Sequence, residues 1–433
     1  MSFRLGDAAK LTPPFRLVVI YFITSLLFFI VGVFLTLINF ADFQGFYFQP
    51  HILAITHTLA LGWITMIISG AMYQLMPVLF RVRVFSIYLA YLQYFLLTAG
   101  TIGMVYGFYE FNISMGFVAF ASLAFLGVVA FVFNVLMTLS KVKEWNITGY
   151  HFLTAVIFLF IAVSIGLILA LNLQFGFLMV NHLEILKVHA HVAIVGFVTM
   201  VIFGAVYQLI PMFSLSYDFS RWFGWLAYCL IVGGLIGYGI AITFGDNTGL
   251  ADIFSLVMAA GIAAFLVQVA VILKKRVRKK LDAGLTQTVV SFVYLGLATL
   301  IVVVSVLSNP WGETSSATVA LATGFFVFYG YIGSLILGQM LKIGPFLVWL
   351  HKYSDKVGIS DVPSLHEMVD QRLAYLQLFL WSAAVPVATV AIILSNTLLF
   401  FAGCIGMFLS AVIFVFVQYK VFLQDPGRRR DRS

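Results

Sequence analysis

Five of the eight histidines in this 433-residue sequence fall in two short stretches, His51 with His57 and His182 with His189 and His191. Neutral imidazole binds zinc, copper and iron alike. Both stretches run into strongly apolar sequence, and an imidazole placed inside a bilayer is costly without a partner, so each is a functional candidate. Spacing sorts them. His189 and His191, two residues apart, point about 200° away from each other on a helix and cannot serve one small site. His182 and His189, seven apart, share a face if the helix reaches back that far, whereas His51 and His57 diverge by about 120°. His57 and His191 occupy the same place in two related segments, which favours them as a pair holding one metal or haem iron. His189 ranks next and His51 third. The plainer alternative is that His57 and His191 make interhelical hydrogen bonds. His151, His351 and His366 read as interfacial residues.

No phosphate-binding glycine loop, Cys-x-x-Cys pair, haem-attachment Cys-x-x-Cys-His or nucleophile elbow occurs. Acidic residues are almost absent from the apolar runs, which argues against a carboxylate-driven ion transporter. Cys229 and Cys404 lie within apolar runs and read as core residues.

The elements that must position the histidines are membrane helices. Hydrophobic residues make up 63% of the chain and charged residues 9%, against about a quarter charged in soluble domains. Apolar runs long enough to cross a hydrocarbon core of about 30 Å follow one another almost end to end. The expected fold is an all-α polytopic membrane protein with about twelve spans, at 14–39, 50–78, 85–109, 112–139, 148–173, 185–213, 220–245, 250–274, 286–308, 316–347, 372–395 and 397–423. The first span is too long for a cleavable signal peptide and lacks a small-residue cleavage site.

The formal charge of +8 does not indicate nucleic-acid binding, because its distribution is topological. All 24 Lys and Arg residues except Lys187 sit in the termini, in loops after even-numbered spans or in the span ends bordering them. The positive-inside rule then places both termini in the cytoplasm and the histidine cluster toward the periplasmic side of a bacterial inner membrane. The run Lys274 to Lys280 becomes a cytoplasmic turn, with contact to anionic headgroups as the alternative reading.

An internal repeat organises the spans. His57, Gly62, Thr65, Met66, Gly70, Tyr73, Gln74 and Pro77 recur as His191, Gly196, Thr199, Met200, Gly204, Tyr207, Gln208 and Pro211, each 134 positions on. Another 134 positions reach Gly330, Tyr331, Gly338 and Pro345. Three pseudo-symmetric four-helix units are expected: 1–140, 141–280 and 281–433. The last carries a cytoplasmic loop at 348–371 and a basic C-terminal tail. Ser364 and Glu367 fit a capping box for a short surface helix in that loop. The second helix of each unit, with its polar groups and glycines, should line the interior.

Twelve helices in three arcs of four, with His57/Gly62 and His191/Gly196 in a His-x4-Gly pattern, resemble subunit I of the haem-copper oxidase and nitric oxide reductase superfamily. The chain also resembles the NnrS family of membrane haem proteins. The resemblance implies haem b toward the outer side. His57 matches the helix-2 haem ligand, and His191 or His189 matches the helix-6 histidine that binds copper. The sequence departs from the oxidase pattern in the tenth span, where Phe325 stands at the repeat-equivalent position and no histidine precedes His351. The seventh span has none either, and Val195 stands where the crosslinked tyrosine would be. A three-histidine copper site cannot be assembled from these residues.

Three functions remain on this reading. The first is a haem-binding membrane protein in electron transfer or nitric oxide/diatomic gas binding, without a complete haem-copper centre. The second is a transporter of copper, another metal or a small molecule, using the same histidines with help from Met66, Met72, Met76, Met200 or Met212. The third is a cofactor-free structural or assembly subunit of a respiratory complex. The first would make the chain a candidate oxidoreductase. Its expected partners are the lipid bilayer, an electron-donor protein or quinone, and further copies of itself or respiratory-complex subunits.

Overall fold

The computed structural model describes residues 11–244, 248–308 and 312–424. The basic C-terminal tail, including Arg428 to Arg430, lies outside the described residues. Within them the chain is helical, with twelve helices of membrane-spanning length and no strand beyond a single bridge pair of Ser216 with Arg276. The protein is a multi-pass membrane protein. In chain order the helices are α1 (Phe15–Ile38), α2 (Pro50–Phe80), α3 (Ile87–Tyr109), α4 (Met115–Leu139), α5 (Ile147–Phe175) and α6 (His182–Ser214). They continue as α7 (Trp222–Phe244), α8 (Gly249–Lys274), α9 (Ala283–Ser308), α10 (Ser316–Lys352), α11 (Gln371–Ile393) and α12 (Thr397–Phe422).

Two boundaries matter for the site. Helix α6 begins at His182 because the Asn181 side chain accepts the Leu183 backbone N–H at 2.9 Å, an N-cap that satisfies one orphan donor. His182 and His189 therefore do share one helix. Helix α10 runs five residues beyond its expected end, to Lys352, and the loop shrinks accordingly. In that loop the Ser364–Glu367 box forms, with Ser364 Oγ and Glu367 Oε2 2.9 Å apart. It closes a four-residue turn at 365–368 rather than the expected helix, since Asp370 already caps α11 through the Leu373 N–H.

Helices α2, α6 and α10 form the interior. Of their most apolar stretches 78%, 72% and 72% are buried, against 56% or less in every other helix. Each contains eight residues of π-helix: Thr58–Thr65, Val192–Thr199 and Phe326–Gly333. These recur at the 134-residue spacing and begin directly after His57, His191 and Phe325. A π-turn widens the helix and displaces the residues after it, and such turns gather at functional sites.

The glycines let the preceding helix close in. A Cβ on Gly62 would lie 2.3 Å from the Phe28 ring of α1, and one on Gly196 would lie 2.8 Å from Phe158 of α5. Small residues at such crossings supply the van der Waals contact that holds membrane helices together. Two of the spaces between the inner helices and their neighbours are filled with rings. Phe29 contacts Trp63, Trp381 and Phe414, joining α1, α2, α11 and α12. Phe203 stacks flat on Phe265 at 3.5 Å, and Phe265 meets Phe292, joining α6, α8 and α9. The space bounded by α2 and α6 is different.

Candidate functional site

A cavity of about 210 Å³ lies among α2, α3, α4, α5 and α6, with Phe328 and Ile332 of α10 at its inner wall. Its walls are almost wholly apolar. Alanines at 60, 121, 124, 162 and 193 and Gly166 hollow it out, where larger side chains would close the gap between helices. Three imidazoles enter it: His57 from α2, and His182 and His189 from α6.

Each ring is held differently. His57 Nδ1–H donates to the Leu53 carbonyl at 2.8 Å, and the ring stacks on Phe108 of α3 with centroids 4.8 Å apart. His189 Nδ1–H donates to the Ala162 carbonyl of α5 at 2.9 Å. In both, the proton resides on Nδ1 and the lone pair on Nε2, the nitrogen left for a metal. Neither Nε2 has a hydrogen-bond partner among the described residues. His189 and His57 line the same cavity. His182 is the opposite case, because its Nδ1 faces the Asn172 amide nitrogen at 3.1 Å. Asn172 Oδ1 accepts the Leu178 N–H at 2.8 Å, which orients the amide so that its NH2 donates to His182.

His191 does not enter this cavity. Its Nδ1 bonds the Lys187 carbonyl at 2.8 Å and its ring packs on Tyr238 of α7, 4.4 Å between centroids. The 200° divergence from His189 is realised, with one ring toward α5 and the other toward α7. The structure thus does not bring His57 and His191 together. It brings His57 and His189 together, with His182 beside them. His51 is also outside, bonded to Asp42 at 2.6 Å and lying against Tyr109.

Of the methionines proposed to assist copper, Met66, Met72, Met76 and Met200 are core residues and Met212 is 42% exposed. Met104 of α3, which sequence reasoning passed over, lines the cavity instead. Among the described residues no three His, Cys, Asp or Glu side chains are grouped to hold a metal ion. Phe108, Ala162 and Gly166 were also missed. They act through a ring face, a carbonyl and an absent side chain, none of which marks a sequence.

No protein-family model matches the chain, and no curated protein does. Among solved structures, the cryo-EM structure of a haem-copper terminal oxidase dimer superposes with a TM-score of 0.68 at 11% identity, covering 99% of this chain and 86% of that one. The fold is haem-copper oxidase-like. At that identity the likeness concerns the path of twelve helices, and what an oxidase-like fold holds must be read from its side chains.

The side chains fit a haem in one respect and constrain it in another. Two imidazoles with free Nε2, presented from α2 and α6 into an apolar slot, are the donor set that haem iron takes. The cavity lining contains no Lys or Arg, so no cationic side chain within it would pair with the carboxylates of a haem.

Proposed function

We propose that this protein is a membrane haem-binding protein related in fold to haem-copper oxidase subunit I, acting in electron transfer or in binding nitric oxide or another diatomic gas. The reading rests on one observation: His57 and His189 turn unprotonated Nε2 atoms into a common apolar cavity. Haem b is the group they would hold, and it would supply one-electron redox chemistry or a gas-binding iron. The chain supplies the rest. Backbone carbonyls fix both tautomers and raise the basicity of both imidazoles. Phe108 holds the His57 ring plane, and the alanine-lined walls exclude water. A complete haem-copper centre is not part of this reading, since the tenth span has no histidine before His351 and the seventh has none.

The one-sided Lys and Arg distribution supports a bacterial inner-membrane setting with both termini inside and the cavity mouth toward the periplasm. The three four-helix units, 1–140, 141–280 and 281–433, are supported by the common spacing of the π-helical stretches. An electron-donor protein or quinone, and further copies of this chain or other subunits, are the partners this function would use.

A second reading is favoured by Met104. A thioether with two imidazoles suits copper(I), and the same cavity would then carry copper in transit.

Oxidised and dithionite-reduced spectra of the purified protein, with iron and copper measured on the same sample, separate the two. A Soret band with sharp reduced α and β bands is expected. A colourless, iron-free protein from haem-replete cells contradicts the haem reading, and bound copper in that sample supports the second.

A further inference from the structure

The three imidazoles of the cavity are not equivalent, and hydrogen bonding sorts them. His57 and His189 each spend the Nδ1 proton on a carbonyl, at 2.8 Å and 2.9 Å, so each presents a lone pair on Nε2. His182 receives a proton from the Asn172 amide at Nδ1, so its own proton sits on Nε2 and it presents a donor. The amide cannot turn over to reverse this, because its oxygen is engaged by the Leu178 N–H at 2.8 Å.

The two lone-pair nitrogens come from different helices. Helix α2 brings His57, with Phe108 of α3 against its ring, and α6 brings His189, anchored on α5. Gly166 keeps that anchor in place, since a Cβ there would fall 2.9 Å from His189 Cε1. The remaining heteroatoms of the lining are the hydroxyls of Thr56 and Thr65, which are poor iron ligands, and the thioether of Met104, a weaker donor than the two imidazoles.

We infer that this site, if it holds haem as proposed above, holds it with both axial positions taken, by His57 Nε2 and His189 Nε2, and with His182 as a non-ligating N–H donor at the mouth. The iron is then six-coordinate and low-spin, and diatomic gases have no vacant position. The inference rests on the haem reading and narrows it from electron transfer or gas binding to a closed site suited to electron transfer.

The test is the electron paramagnetic resonance spectrum of the oxidised wild-type protein, with the visible spectrum of the reduced protein before and after carbon monoxide. Expected are low-spin ferric signals alone and a reduced Soret band that carbon monoxide does not move. His182→Ala should retain both properties, because an N–H donor is not a ligand. A high-spin ferric signal, a Soret band that carbon monoxide shifts, or conversion to high spin in His182→Ala overturns this inference and leaves the haem reading standing. A protein without a Soret band overturns both. The wild-type measurements decide the matter even where the variant does not accumulate.

Discussion

The imidazole of His189 is tied to the backbone of a neighbouring helix: its Nδ1 lies 2.9 Å from the carbonyl oxygen of Ala162. His57, His151, His191 and His351 instead bond the carbonyl four residues back on their own helix. An own-helix bond moves with its helix. The His189 bond fixes α6 against α5 and sets the ring by the packing of both.

Gly166 should therefore be intolerant of substitution out of proportion to its size. A Cβ at 2.9 Å from Cε1 forces the ring or the helix to move, an overpacking cost of about 1–3 kcal/mol. Gly166→Ala is expected to lower the melting temperature in detergent and to broaden or shift the reduced α band. An unchanged melt and spectrum would mean that the ring does not depend on this contact.

A polar cluster among α1, α2, α3 and α4 should carry stability without touching the cavity. The Gln93 side-chain oxygen accepts from Tyr21 at 2.8 Å and Tyr73 at 2.7 Å, and its nitrogen donates to Ser69 at 3.0 Å, all fully buried. Gln93→Leu removes the acceptor of Tyr73 while Asn134 still donates to that hydroxyl. A buried donor left unpaired costs about 1–3 kcal/mol. The expected result is a lower melting temperature with the visible spectrum intact. Loss of the spectrum at an unchanged melt would contradict it.

Near the far end of the bundle, Lys342 of α10 is paired with Asp282 beneath the loop that precedes α11, and both side chains are buried. Asp282 also caps α9, accepting the Leu285 N–H at 3.1 Å. Removing one partner leaves a buried charge, at a cost of about 3–5 kcal/mol. Asp282→Asn keeps a capping oxygen and should still destabilise strongly. Combining it with Lys342→Met should recover much of the loss. A double variant as unstable as the sum of the singles would show that the two charges do not depend on each other.

The orientation proposed from the charge asymmetry is open to a check with reporter fusions. A reporter active only in the cytoplasm should work at the C-terminus and in the turn between α8 and α9, and fail between α1 and α2. The reverse pattern would place the cavity mouth on the inner face.

The helices were legible because each span must be apolar for its full length, and the loops carry the charges that orient it. The interior position of α2, α6 and α10 was legible from their polar groups and glycines. Which ring shares a cavity with His57 was harder to read. Sequence equivalence pointed to His191, but matching positions on two helices each meet their own neighbouring helix rather than one another. His57 therefore faces α3 and His191 faces α7. A shared space needs opposite faces of neighbouring inner helices. The face opposite His191 carries His189, with His182 seven residues earlier, a spacing already visible in the chain. What the sequence could not carry was the Ala162 carbonyl and the void at Gly166, because a carbonyl and an absent side chain belong to every sequence.

The most direct measurement is the reduced-minus-oxidised spectrum of four purified single variants, His57→Ala, His189→Ala, His191→Ala and His51→Ala, each normalised to protein. The Soret and α bands should be lost or strongly altered in the first two and kept in the last two, whose rings lie outside the cavity. Retention of the wild-type spectrum in His189→Ala, with its loss in His191→Ala, would contradict the pairing of His57 with His189.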